Sequence, residues 1–429
     1  MTIGVSLEVG KRGTKLMLCT ELSDKFTLEG TDLNEFLDAV SELSTNTFTM
    51  SMATEQMELL PVVDADVLKN SFIPSLSFSG KITPSPDIVN KEIICLGRIQ
   101  DFFSAELESL QAISLKQILE KGGSKDLFIE SKEQSRLFIR YKKKFYFTSP
   151  KLAESLCARI KLYGDAIYDT SVERTAFIAR RLKNEPQTLT ALIRTLPGSG
   201  IRKIMMLGSG HYQYIPQTIF KDVVDALQMM AKERPHCHSW KVNSFVSTVY
   251  LEFPDMGTRF QKEFQLPDHF IPGICITTSD TCDASLSAFP TWRIGDSIVE
   301  GPGILMEHNG KASIQAFPES ISREILSKYS GFLKQMKHFQ DLRIANPEEI
   351  LSRLFGKLKI MKAVGKKRTL RLIPERSESF DGTTYRAYDL IVNLLQLPAD
   401  CTLPESPAKK LRRAVYDAVF LEDKQYARR

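Results

Sequence analysis

Apolar positions along the chain recur at two different periods, and the alternation between them sets out its elements. In residues 32–43 (DLNEFLDAVSEL), Leu33, Phe36, Leu37, Val40 and Leu43 fall three or four apart, the spacing of an amphipathic helix. The rest of the first hundred residues leans towards β structure. Residues 72–89, with prolines at 74, 84 and 86, read as extended chain. A second helix is predicted over 99–120, stopped by Gly122-Gly123. Residues 136–147 (RLFIRYKKKFYF) carry the aromatic and β-branched content of two strands around a basic turn. Ser149-Pro150 then opens a helix through 162 with Leu152, Leu156 and Ile160 on its apolar face. Residues 171–184 and 187–195 are predicted as two further helices parted by Pro186. After a turn at 197–200 come a strand at 201–207, a glycine turn at 208–210 and a helix over 216–233. Residues 241–253 read as one long strand, 271–314 as short strands and turns, and the chain from 320 as mainly helical, broken near Gly365 and Pro404.

This pattern predicts an α+β fold: a mixed or antiparallel sheet core with flanking helices, a β-leaning N-terminal region and a mainly helical C-terminal region. Three regions are expected: an acidic N-terminal one (1–124), a central α+β domain (125–335) and a basic helical C-terminal one (336–429). A chain of 429 residues is long for a single core.

Composition narrows the class. With 42% hydrophobic and 25% charged residues the chain is neither disordered nor fibrous. No apolar run approaches the roughly 18 residues of a membrane-spanning helix, so no membrane partner is expected. Seven scattered cysteines without a C-x-x-C pair, and a start (1–8) lacking the positive flank and apolar stretch of a signal peptide, point to a reducing cytoplasm. The net charge of +5 conceals an asymmetry: residues 1–130 hold 11 basic and 20 acidic side chains, the remaining 299 hold 46 and 32. Such a split suits an acidic region that meets a protein partner and a basic remainder that meets a polyanion.

Catalytic and metal motifs are thin. Residues 122–125 and 364–367 lack the spacing of a phosphate loop, and His211-Tyr212-Gln213-Tyr214 occupies the place where a dinucleotide loop needs its third glycine. His236-Cys237-His238 is the densest set of metal-type ligands, with both histidines on one face if the segment is a strand. It lacks a nearby fourth ligand. Asp64 and Asp66 flank Ala65 and could pair at a cation, but read better as a solvated turn. Ser279, Asp280, Cys282, Asp283 and His308 contain a nucleophile, a carboxylate and a base without the elbow motif that would join them. Residues 277–286 therefore read as a structural turn whose short polar side chains satisfy backbone donors. No catalytic residue, metal or cofactor is assigned.

Basic residues interleaved with rings carry more. Arg140, Tyr141, Lys142, Lys143, Lys144 and Tyr146 combine cations that neutralise phosphates with rings that stack on bases, the means by which single strands are held. Arg180 and Arg181, and Lys366, Lys367 and Arg368, add to the expected interface. So do the positive clusters Arg202-Lys203, Lys409-Lys410 and Arg412-Arg413.

Three stretches resemble the large uncharacterised phage/plasmid-like protein family, over roughly residues 175–425. They are 192–207 with 212–227, 274–294 (ICITTSDTCDASLSAFPTWRI) followed by His308-Asn309-Gly310-Lys311, and 382–389 (GTTYRAYD). The chain departs from the family pattern at Thr278, Cys282 and Asp389. The resemblance implies an α+β fold, a phage or plasmid origin and no established catalytic residues. Together these readings lead to the expectation of a non-enzymatic, phage- or plasmid-encoded protein binding nucleic acid, single-stranded DNA foremost. It would act as a homo-oligomer in replication, recombination or evasion of host defence. The alternative is a virion or anti-defence protein engaging other proteins.

Overall fold

A computed structural model of the chain describes residues 27–64, 92–95, 112–114, 137–142, 144–161, 172–195, 202–308, 314–358, 384–399 and 405–420. In chain order the principal strands are β1 (Thr27–Gly30), β2 (Thr47–Ala53), β3 (Met57–Asp64), β4 (Glu92–Cys95), β5 (Ala112–Ser114), β6 (Leu137–Tyr141), β7 (Lys144–Thr148), β8 (Thr188–Thr195), β9 (Arg202–Gly208), β10 (His236–Asn243), β11 (Ser247–Glu252), β12 (Phe270–Thr278), β13 (Leu286–Ile294), β14 (Ser297–Glu300) and β15 (Ile304–Met306). The helices among the described residues are α1 (Leu33–Thr45), α2 (Pro150–Arg159), α3 (Val172–Asn184), α4 (Ile219–Ala231), α5 (Pro254–Phe264), α6 (Phe317–Asp341), α7 (Pro347–Leu358), α8 (Ala387–Gln396) and α9 (Glu405–Ala418). The fold is α+β, and among the described residues its strands pair antiparallel except at one place.

Two compact units result. One comprises the described residues of Asp38–Tyr214; the other takes Thr27–Leu37 together with those from Ile215 onward. This differs from the three consecutive regions read from the sequence. The reason is that β1 pairs antiparallel with β10, Gly30 opposite Trp240, so an early segment completes a late sheet. Only glycine fits at 30, since a Cβ there would lie 2.9 Å from the Trp240 ring.

In the first unit the strands run β2-β8-β9-β7-β6-β3-β4-β5 across the sheet. The single parallel pair, β7 with β9, follows from a helical crossover beginning at α2. Ser149 caps α2, its Oγ accepting the Leu152 N–H at 3.2 Å while donating to the Met205 carbonyl, and Pro150 supplies the first helical position. Leu152 and Leu156 of α2 and Ile160 at its C-cap, with Ile178 and Leu182 of α3, pack on Leu59, Ile139, Tyr141, Tyr146, Leu189, Ala191, Ile193 and Ile204 from the strands. Residues 188–195, expected as a helix, are strand β8. Leu189, Ala191 and Ile193 alternate into the core, and both neighbouring strands saturate its backbone. β5 likewise falls inside the helix expected over 99–120; the rest of that stretch, and 72–89, lie outside the described residues.

The second unit is built on the antiparallel order β1-β10-β11-β12-β13-β14, with β15 also on β13. The long strand expected over 241–253 is two strands. Asn243 Oδ1 accepts the N–H groups of Phe245 and Val246, both at 2.8 Å, and turns the chain into the β10–β11 hairpin. On the covered face Trp292 stacks on Phe332 with ring centres 4.8 Å apart, and Phe332 stacks on Tyr416 at 5.5 Å. Tyr329 meets Trp292 edge-on and donates its hydroxyl to the Gly273 carbonyl. These rings join the sheet to α6 and α9.

Candidate nucleic-acid interface

The basic turn sits on the β6–β7 hairpin, in which Tyr141 pairs with Lys144 and Ile139 with Tyr146. Lys142 takes a left-handed backbone (φ 49°), as so tight a connection demands. Its side chain and that of Lys144 are exposed, with the Lys142 ammonium 5.3 Å from the Tyr141 ring centre. Arg140 pairs with its cross-strand neighbour Glu58 at 2.5 Å. Lys143 lies outside the described residues.

The rings do not join the lysines at the surface. Tyr141 is 4% exposed and Tyr146 1%, both in the first unit's core, and the Tyr141 hydroxyl accepts the Ala53 N–H at 3.3 Å. The expected stacking of bases on these two rings is therefore corrected. RYKKKFY carries aromatics at both strand parities, so the sequence alone does not choose which faces inward.

A second expected cluster lies on α3. Ile178 and Leu182 face the core, while Arg180, Arg181 and Lys183 are exposed, and Arg181 reaches Glu185 at 3.5 Å. Lys183 was not singled out from the sequence, although it shares the outer face three residues after Arg180. The C-terminal end of α3 is held at Thr54. Thr54 Oγ1 donates to the Leu182 carbonyl (3.1 Å) and accepts the Gln187 N–H (3.0 Å), and the Thr54 N–H donates to the Gln187 carbonyl (3.0 Å). Tyr141, which ends β6, is held by the adjoining Ala53. Two basic segments some forty residues apart thus end on the same two-residue anchor. The exposed Lys142 and Lys144 on one segment and Arg180, Arg181 and Lys183 on the other flank this anchor, together with the exposed carboxylates Glu55 and Glu185. Among the described residues no carboxylate pairs with Lys142 or Lys144.

The other clusters are distributed differently. Lys366, Lys367 and Arg368 lie outside the described residues, as does most of the acidic region expected to meet a protein. Lys203 is buried and Arg202 lies 6.0 Å over the Phe48 ring. Lys409, Arg412 and Arg413 belong to α9 of the second unit, where Lys409 approaches Glu300 at 3.9 Å.

His236 and His238 do lie on the exposed side of β10, while Cys237 turns inward, its thiol pushed up to about 12 by burial and by Asp32 and Glu252. His238 Nδ1 stands 3.4 Å from Glu252 Oε1, and Glu252 is held by Arg293 through two bonds of 2.7 and 3.1 Å. Among the described residues no three His, Cys, Asp or Glu side chains are placed to hold a metal ion. In the turn after β12, Ser279 Oγ accepts the N–H groups of Thr281 (3.1 Å) and Asp283 (3.0 Å), and Thr281 Oγ1 donates to Asp283 Oδ2 at 2.5 Å. These bonds use the short polar side chains to hold the turn's backbone.

Among the described residues no helix is long and apolar enough to cross a membrane. Compared with known proteins, the chain matches no family model, no curated protein and no solved structure.

Proposed function

We propose that this protein binds nucleic acid by its phosphate backbone through the basic end of the first unit. The observation that supports the reading is the anchoring of both the β6–β7 turn, with exposed Lys142 and Lys144, and the α3 terminus, with exposed Arg181 and Lys183, at Ala53-Thr54. Neutralising phosphates releases condensed counterions, and four such contacts correspond to a salt slope of about −3 for a single strand. With Tyr141 and Tyr146 in the core, recognition is electrostatic and indifferent to sequence. Single and double strands of matched phosphate number are both bound. A homo-oligomer would repeat the cations on each copy and steepen the slope in proportion. Such a contact fits the mobile-element setting implied by the resemblance of residues 175–425, where replication, recombination or evasion of host defence would call on it.

The test is binding of a labelled oligonucleotide across a salt series, with sedimentation to give the number of copies. Affinity falling steeply with salt supports the proposal. Absence of binding at about 50 mM salt, where screening is weak, refutes it.

A further inference from the structure

The second unit carries a groove of about 720 Å³, lined by none of the residues of the basic end of the first unit. Its polar walls come from three places: Glu29 on β1, His238, Ser239 and Lys241 on β10 with Thr248 and Tyr250 on β11, and Arg412 on α9. The face is the one opposite Trp292. Val249 and Leu251 alternate into the core, so Thr248 and Tyr250 alternate out of it. A volume of this size lies within the range of small-molecule sites, roughly 300–1,000 Å³.

Three features give the groove a chemical preference. First, the register of β10 against β11 shifts between Cys237 and Ser239, so His238 is the extra residue of a bulge, a device that re-aims a side chain. Its Nδ1 is turned to Glu252, which leaves the Nε2 edge for a ligand. Secondly, the lining holds two cations, Lys241 and Arg412, and one carboxylate, Glu29, which stands opposite Lys241 in the β1–β10 register, while the carboxylates beside it have cations of their own, Glu252 with Arg293 and Glu300 with Lys409. Thirdly, Tyr250 lines the groove within the electrostatic reach of Arg412. Burial and the neighbouring Cys275 keep its phenol far above the ordinary range, so the ring is neutral and offers no repulsion to an anion. A concave, mainly apolar surface with a ring, a directed imidazole and an excess of positive charge matches a ligand that is part planar ring and part anion.

We infer that this groove binds a nucleoside phosphate, with the phosphate taken by Arg412 and Lys241 and the base lying along Tyr250 and Ile298. Such a group comes either as a free nucleotide or as one residue of a single strand. The experiment is calorimetric titration of the full chain with AMP, with inorganic phosphate, and with AMP in the presence of a short single-stranded oligonucleotide. AMP should bind, and Arg412→Ala should weaken it at least about tenfold, as expected for loss of a charged hydrogen bond. Lys241 is exposed, so Lys241→Ala tests the same point in a protein whose folding is not at issue, with a similar loss expected. Displacement of AMP by the oligonucleotide identifies a strand as the source, and its absence identifies the free nucleotide. The inference fails if AMP does not bind at ~1 mM, the weak end of specific recognition. It fails equally if phosphate alone binds as tightly as AMP, or if both variants bind AMP as the parent does. The double variant Lys142→Ala/Lys144→Ala, altered only in the first unit, should retain AMP binding, so this inference and the backbone-binding proposal stand or fall separately.

Discussion

Thr54 is the residue on which the proposed interface depends, and Thr54→Val isolates what its hydroxyl does. Valine has nearly the same shape, so packing at this 4%-exposed position is conserved while the hydroxyl is lost. Two bonds go with it: the one donated to the Leu182 carbonyl and the one accepted from the Gln187 N–H. At about 1 kcal/mol for each, plus part of the penalty for leaving a half-buried donor unpaired, the cost comes to about 2–3 kcal/mol. Urea unfolding should show this as a lower midpoint at unchanged slope. Hydrogen exchange gives a local measure. The Gln187 amide, deprived of its acceptor, should exchange about thirtyfold faster, since 1.4 kcal/mol is a factor of ten. Thr54→Ser keeps both bonds and should restore the slow exchange, at about 1 kcal/mol for the missing methyl. Because the same residue sets the end of α3 beside the turn that carries Lys142, oligonucleotide affinity at low salt should also drop in Thr54→Val, with the salt slope unchanged. A Gln187 amide that exchanges at the parental rate, in a protein destabilised by less than about 0.5 kcal/mol, would show that Thr54 is not the anchor described.

Further outcomes follow from the same geometry. Replacing Lys142 and Lys144 together by alanine should flatten the salt dependence of single-strand binding by about 1.4, two contacts at about 0.7 each, measured as the slope of log K against log salt. Tyr141→Ala and Tyr146→Ala should destabilise the protein by roughly 3–5 kcal/mol in thermal or urea unfolding, as large core truncations do; a variant that folds normally but loses affinity would restore the stacking role. Arg293→Ala strands the buried Glu252 carboxylate and should cost about 3–5 kcal/mol, whereas Glu252→Gln, which strands no charge, should cost distinctly less. Burial pushes the Cys237 and Cys275 thiols up to about 12 from 9.0. Their contribution to stability is therefore fully present below about pH 9 and lost as pH rises towards 12, which a melting series against pH reads directly. In alkylation followed by peptide mapping, exposed Cys282 should react well before either of them.

The sequence by itself determined the fold class, the amphipathic helices and the basic hairpin, because each is written in a local period. Leu33 to Leu43, Leu152 to Ile160 and Ile219 to Met230 repeat at helical spacing, and the helices at α1, α2 and α4 are found there. Local pattern failed where two periods fit equally well. TLTALIRT is too short to separate helix from strand, and it became β8 because β2 and β9 flank it. Tyr141 and Tyr146 beside three lysines look like a surface motif until the sheet's pleat sends them inward. Lys142, Lys144, Arg181 and Arg412 stood out in the sequence as basic clusters, whereas Lys183 and the groove residues Glu29, Lys241 and Tyr250 did not, and no assembly was legible. The segments carrying Lys142 and Lys183 are anchored at neighbouring Ala53 and Thr54, and Thr54 lies 128 residues before its acceptor Leu182. Arg412 and Lys241 line one groove together with β1, whose residues lie more than two hundred positions before their partners on β10. Hydrogen bonds and ring packing between distant segments depend on which strands pair, and pairing is settled by burial of the whole core, a quantity that no window of neighbouring residues contains.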